Sequence, residues 1–118
     1  MSTYELLEAA GRLLKDDGRW TPKALAVNQR GKECCPCSLK ALRWDVIGAV
    51  LKVADCRPAL VDKSRDVIAA LAALDYAAGI EFKATSIRVN ELGHAAVMRT
   101  LRRAWFDCAP RDERRLAA

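Results

Sequence analysis

Apolar residues recur at the period of an α-helix four times along this chain, and that pattern limits its possible folds more than any other feature. In residues 3–17, Leu6, Leu7, Ala10, Leu13 and Leu14 fall on an i, i+3, i+4, i+7 stripe, with Ser2 and Glu5 spaced as a capping box and Gly18 as a stop. A second stripe predicts a helix over 39–54 capped by Ser38, with Leu39, Leu42, Val46, Ile47, Val50 and Leu51 inward and Trp44 in the core. There Gly48 and Ala49 are small enough to admit a neighbouring helix. A third helix spans 62–78, capped by Asp62 or Ser64 and stopped by Gly79, with Val67, Ile68, Leu71, Leu74 and Ala78 inward. The last runs over 91–106 behind an Asn90 cap and buries Leu92, Ala96, Val97, Thr100, Leu101 and Ala104. Glu91 stands in its first turn and Arg102 and Arg103 in its last, as the helix dipole favours.

Two stretches break the period. Residues 19–37 carry Trp20, Pro22 and the turn chemistry of Asn28–Gly31, which predicts a short hairpin or ordered loop anchored through Trp20. Residues 80–89 alternate apolar and charged positions at Ile80 and Phe82, which predicts a short strand or extended link. Ala, Leu and Val supply much of the 52% hydrophobic content, and 118 residues can bury a core without metal or disulfide support. The expected fold is mainly α, a compact bundle of about four helices with a short β-hairpin or extended segments packed on it. Residues 1–110 make one helical domain, and 111–118 form a charged, flexible tail.

The formal net charge of +5 and pI near 9.1 permit an anionic partner. The densest positive run is Arg99, Arg102 and Arg103 followed by Arg111, Arg114 and Arg115, read either as a solvated face and tail or as a set of phosphate contacts. No apolar run approaches the roughly 18 residues that span a bilayer, so no membrane partner is expected. Glu5 and Glu8 interrupt the N-terminal apolar residues, unlike a signal peptide. Five cysteines, an odd number, suit reduced thiols in the cytoplasm.

The sharpest local feature is Cys34-Cys35-Pro36-Cys37 ahead of the second predicted helix. Thiols at a helix N-terminus can have lowered pKa values, which would suit a dithiol redox site. The C-x-x-C spacing of Cys34 and Cys37 would also suit zinc, with Cys56, Cys108 and His94 as candidates for the remaining ligands. Against both stands the reading of these thiols as small packing residues. His94, the lone histidine, has no third group to orient it for catalysis. The acids at Asp16, Asp17, Asp55, Asp62 and Asp66 lack the spacing of a metal loop, and no phosphate-binding loop or nucleophile elbow occurs.

Three segments, taken in order, resemble a domain-of-unknown-function family of short bacterial and phage proteins: Gly18-Arg19-Trp20, then Trp44-Asp45-Val46-Ile47-Gly48-Ala49-Val50, then Val89-Asn90-Glu91 ahead of Val97 and Leu101. The chain departs from that pattern where Val89 replaces Trp, where Glu91 replaces Asp, and where one extra residue separates Gly18 from Trp20. The resemblance implies a shared architecture and a bacterial or phage setting, and it carries no active site. The expected function is therefore a non-enzymatic protein-interaction module, for example an accessory protein modulating a host system, or a self-associating one. Its candidate contacts are Trp20, Arg30, Arg99, Arg102, Arg103, Trp105 and Phe106, because aromatic and Arg side chains dominate hot spots. The alternative is nucleic-acid binding through the basic last helix. No cofactor is expected, zinc at Cys34 and Cys37 being the exception considered.

Overall fold

The first apolar stripe builds α1, Thr3–Leu14, with Leu6, Leu7, Ala10 and Leu14 buried. The computed structural model describes residues 1–117; residue 118, the end of the charged tail, lies outside them. The Ser2 backbone N–H donates to Glu5 Oε1 at 3.0 Å and the Ser2 hydroxyl to the same oxygen at 2.8 Å, which ties down the first turn. Gly18 does not cap this helix. It sits in a 3-10 turn, Asp17–Arg19, and its N–H donates to Asp16 Oδ1 at 2.9 Å, so an aspartate turn replaces the expected left-handed glycine.

The turn at Asn28–Gly31 forms as read. Asn28 Oδ1 accepts from the N–H groups of Arg30 and Lys32 at 2.9 and 3.0 Å, and Gly31 takes φ 75°. The regular strand pair, however, joins β1, Ala26–Val27, to β2, Arg43–Trp44, antiparallel, with Ala26 opposite Trp44. Trp20 anchors this unit: its backbone bridges Trp44, and the Thr21 N–H donates to the Trp44 carbonyl at 3.0 Å.

The second helix is shorter than its apolar pattern suggests. α2 is Val46–Val53, capped by Asp45, whose carboxylate accepts from the Gly48 N–H at 2.7 Å; Ser38 caps nothing helical. Residues 38–44 instead make a turn and β2, and Leu39 and Leu42, expected inside, are 98% and 50% exposed. Tertiary pairing overrides periodicity here. Trp44 belongs to the core as read, but from a strand, with its indole N–H donating to the Pro36 carbonyl at 2.9 Å. Gly48 admits no helix. A Cβ there would lie 1.7 Å from the carbonyl oxygen of Leu25, so the close approach is to the hairpin backbone.

A 3-10 segment, Pro58–Lys63, leads into α3, Arg65–Phe82, which Ser64 caps by accepting from the Val67 N–H. Gly79 lies inside α3 and does not stop it; the helix ends at Lys83, left-handed at φ 52°. Its buried face is Val67, Ala70, Leu74, Ala77 and Ala78, while Ile68, expected inward, is exposed. The stretch read as a strand is helical except for a bend at 83–85. The end of α3 is followed by α4, Ser86–Val89, capped by Thr85, and Asp75 Oδ1 accepts from both the N–H and the hydroxyl of Ser86 at 2.9 and 2.6 Å.

After a 3-10 turn, Asn90–Leu92, comes α5, His94–Cys108, with Ala96, Val97, Thr100, Leu101 and Ala104 buried and Leu92 exposed outside it. Asn90 is therefore not its cap, and Arg102 and Arg103 are not in its last turn. Residues of the tail form α6, Arg111–Ala117. α1 packs against α2, α3 and α5, and α3 packs against α5, so Leu7, Leu14, Val50, Leu51, Leu74, Val97 and Leu101 share one core. The fold is mainly α, with the small sheet laid on the bundle at α2. Among the described residues, no helix is long and apolar enough to cross a membrane.

Candidate functional site

The three segments that carried the family resemblance meet in space. Asn90 is buried between them: its Oδ1 accepts from the Val46 N–H at 3.1 Å and from the Trp20 indole N–H at 3.5 Å, and its Nδ2 donates to the Ile87 carbonyl at 3.3 Å. The Val46 N–H opens α2 and has no carbonyl partner within that helix, so Asn90 supplies from a distant turn what a local cap would supply. Asp45, 8% exposed, caps the next donors, and burial pushes its carboxyl up to about 6 against the lowering pull of the Gly48 and Ile47 N–H groups. The Trp20 ring lies against His94, centroids 5.7 Å apart, and His94 Nε2 contacts the Leu14 carbonyl at 2.5 Å. A carbonyl only accepts, so that ring nitrogen carries the proton and is spent on closing the end of α1. This junction holds α1, α2, the hairpin and α5 in register and leaves no free base beside a nucleophile.

The cysteine cluster does not stand at a helix N-terminus, because α2 begins at Val46. Burial instead pushes the thiols of Cys34 and Cys37 above their ordinary value, with the neighbouring Cys35 adding to the rise. That lowers their thiolate fraction, the reverse of what a redox site needs. All five cysteines are unbridged. Cys108 sits at the end of α5 and His94 at its start, and no three His, Cys, Asp or Glu side chains group as metal ligands among the described residues.

The basic run on α5 is largely paired within the fold. Arg99 reaches Glu81 at 2.7 Å and covers the Phe82 ring, and Arg103 bonds both Asp107 and Glu81, at 3.1 and 3.5 Å. Arg102 and the half-buried Trp105 flank a groove of about 240 Å³ between α1 and α5, whereas Phe106, still partly exposed, carries the Arg114 guanidinium of α6 over one face of its ring. Trp20 is committed to the junction just described. Of the expected contact residues, Arg30 alone stands on a surface that the other observations single out.

That surface is a groove of about 600 Å³ between the Asn28–Lys32 turn and the loop before β2. Arg30, Lys32 and Lys40 line it together with Leu39 and Leu42. Residues 19–44 hold six cations (Arg19, Lys23, Arg30, Lys32, Lys40, Arg43) against one acid, Glu33, and so carry +5, while the other fourteen residues of each sign cancel. The ion pairs among the described residues join Arg12, Arg88, Arg99 and Arg103 to acids; none includes a cation of 19–44. The loop from Asn28 to Lys32 was among the expected contact surfaces, whereas Leu39, Lys40 and Leu42 were missed because the reading placed them inside a helix. A count of charge by segment would have pointed to them.

Neither the curated proteins nor the solved structures include a match to this chain. A family model does match, over residues 1–107, which takes in every element from α1 through nearly all of α5 and all three converging segments. The chain belongs to a family of unknown function, DUF6197.

Proposed function

We propose that this protein is a non-enzymatic interaction module that docks on a partner protein through the face formed by the Asn28–Lys32 turn and the loop before β2. The observation that carries this reading is the placement of charge: the segment 19–44 carries the excess positive charge, three of its cations (Arg30, Lys32 and Lys40) line this groove outside every ion pair among the described residues, and Leu39 and the half-exposed Leu42 stand beside them. A concave surface that combines apolar anchors with cations is the composition of a recognition site. At the separate junction the buried polar groups of Asn90 and Asp45 are spent on holding the fold, which supports binding rather than turnover. The alternative of nucleic-acid binding by α5 is weakened by the Glu81 and Asp107 pairs that neutralise Arg99 and Arg103.

The test is cross-linking in the native host with a photoreactive residue placed at position 39, compared with one at exposed Ala72 on α3. A discrete partner captured from position 39 alone, and lost in the Arg30→Glu/Lys40→Glu variant, is the expected result. Equal capture from both positions, or capture that survives charge reversal, overturns the reading.

A further inference from the structure

The chemistry of the same groove also specifies its occupant. Ser38–Ala41 is a tight turn in which the Ala41 N–H donates to the Ser38 carbonyl at 3.1 Å and the Lys40 N–H to the Ser38 hydroxyl at 3.1 Å. Such a turn favours Gly, Pro, Asn, Asp or Ser at its tip. Here the tip is Leu39, almost wholly in water, and the fold gains nothing from its side chain. Leu42 follows on the same wall, its N–H held by the Val27 carbonyl at 2.9 Å. Across the groove, Asn28 locks the backbone that presents Arg30 and Lys32. Both walls are thus held by hydrogen bonds before any ligand arrives, which lowers the ordering cost of binding.

We infer that the groove between Arg30, Lys32 and Lys40 receives an acidic segment of a partner protein, with a bulky aliphatic or aromatic side chain seated between Leu39 and Leu42 and carboxylates on the three cations. This rests on the interaction reading above and deepens it. The match is one of charge and shape together. Three cations in a groove whose lining holds no acid complement carboxylates or phosphates, and two leucines on its wall complement an apolar group. A nucleic acid would satisfy the first need and leave the leucines facing phosphate. The lining offers no aromatic ring on which a base could stack. A flat anionic lipid surface would reach Leu39 but would leave a concave site of this volume unfilled.

The experiment measures fluorescence anisotropy of the full chain with four labelled probes. They are a short Asp/Glu peptide with two central leucines, the same peptide with serines for leucines, a single-stranded oligothymidylate of equal charge, and phosphatidylserine vesicles. Expected is preference for the leucine-bearing acidic peptide, weakened about tenfold or more by Leu39→Ser and abolished by Lys32→Glu/Lys40→Glu. Because residue 39 is exposed, Leu39→Ser leaves thermal unfolding unchanged, so a loss of binding is a loss of contact. Equal binding of the leucine and serine peptides, indifference to Leu39→Ser, or preference for the oligonucleotide or the vesicles overturns the inference. If position 39 still captures a discrete host protein while no acidic peptide binds, the interaction reading stands and the acidic-segment inference falls. If capture fails as well, both fall.

Discussion

Gly48 and Gly79 are both helical glycines, and their replacement by alanine should shift stability in opposite directions. At Gly48 a Cβ would sit 1.7 Å from the Leu25 carbonyl oxygen and 2.6 Å from its carbon, inside any tolerable contact. The obstacle is backbone, so no rotamer change relieves it, and α2 or β1 must move. Overpacking of this kind costs about 1–3 kcal/mol. Displacing Leu25 also strains the bond from the Asp45 N–H to the same carbonyl, 3.3 Å long, and an orphaned buried donor adds about 1–3 kcal/mol. The helix-propensity gain of alanine returns no more than about 1 kcal/mol, so Gly48→Ala should lose about 3 kcal/mol. At Gly79 nothing lies within 4 Å of the added carbon, and Gly79→Ala should gain about 0.5–1 kcal/mol. Urea unfolding followed by tryptophan emission and far-UV circular dichroism gives both numbers, with an unchanged slope expected. Adding Leu25→Ala must not rescue Gly48→Ala, because the clash is with a carbonyl. A Gly48→Ala protein within about 0.5 kcal/mol of the parent, or one rescued by Leu25→Ala, would refute the close approach.

Three further outcomes follow from the junction and the α3–α5 seam. Asp45 holds its proton more tightly folded, near 6, than at its ordinary 3.8, so its contribution to stability is complete below about pH 4 and lost as pH rises through 6. Asp45→Asn keeps a capping oxygen and should gain on the parent by about 2–3 kcal/mol between pH 4 and 7; a difference that stays flat across that range contradicts the buried carboxyl. Asn90→Ala orphans the buried Val46 N–H and should cost about 1–3 kcal/mol in chemical denaturation, and a neutral result would mean water takes the place of the amide. Glu81→Gln releases Arg99 and leaves Arg103 to Asp107 alone; because Arg99 is mostly exposed the stability change should stay under about 1 kcal/mol, while retention on heparin rises. Unchanged retention would show that Glu81 does not neutralise this face.

Where one stripe faces one core, the fold was readable. Leu6, Leu7, Ala10 and Leu14 do bury one side of α1, and Val97, Leu101 and Ala104 do the same for α5. The reading failed where a residue's partner is distant in sequence. Ile80 and Phe82 alternate like a strand, but they continue α3, because exposed Gly79 is tolerated and Asp75 with Thr85 organises the next turn. Asn90 looks like a cap because caps are local, whereas its acceptor oxygen serves Val46, forty-four positions away. Trp20, Trp44 and Asn90 stand in the three segments that carried the resemblance, but nothing in a linear chain announces that Trp20 bridges Trp44 or that Asn90 meets Trp20 and Val46.

The same failure concealed the groove, and its cause bears on function. Leu39 and Leu42 stand three apart and precede Val46 by seven and four, so a periodicity argument must place them on the buried face of α2. The fold withholds them from it: Asp45 starts the helix late, and Trp44 pairs with Ala26 in a strand. Two leucines that a fold needed would end in the core, as Leu51 does. These two end in water, among cations that the rest of the chain leaves without acids, on a turn held rigid by its own hydrogen bonds. The turn's hydrogen bonds serve the fold, but the exposed Leu39 side chain beside unpaired cations adds nothing to it, and that combination is what supports the proposed binding surface. The departure from helical expectation at 38–44 is thus a point where local pattern and global fold disagree, as they also do at 80–89. Only at 38–44 does the disagreement leave a leucine of the predicted core almost wholly exposed on a cation-lined groove, and that difference is the ground of the proposed docking face.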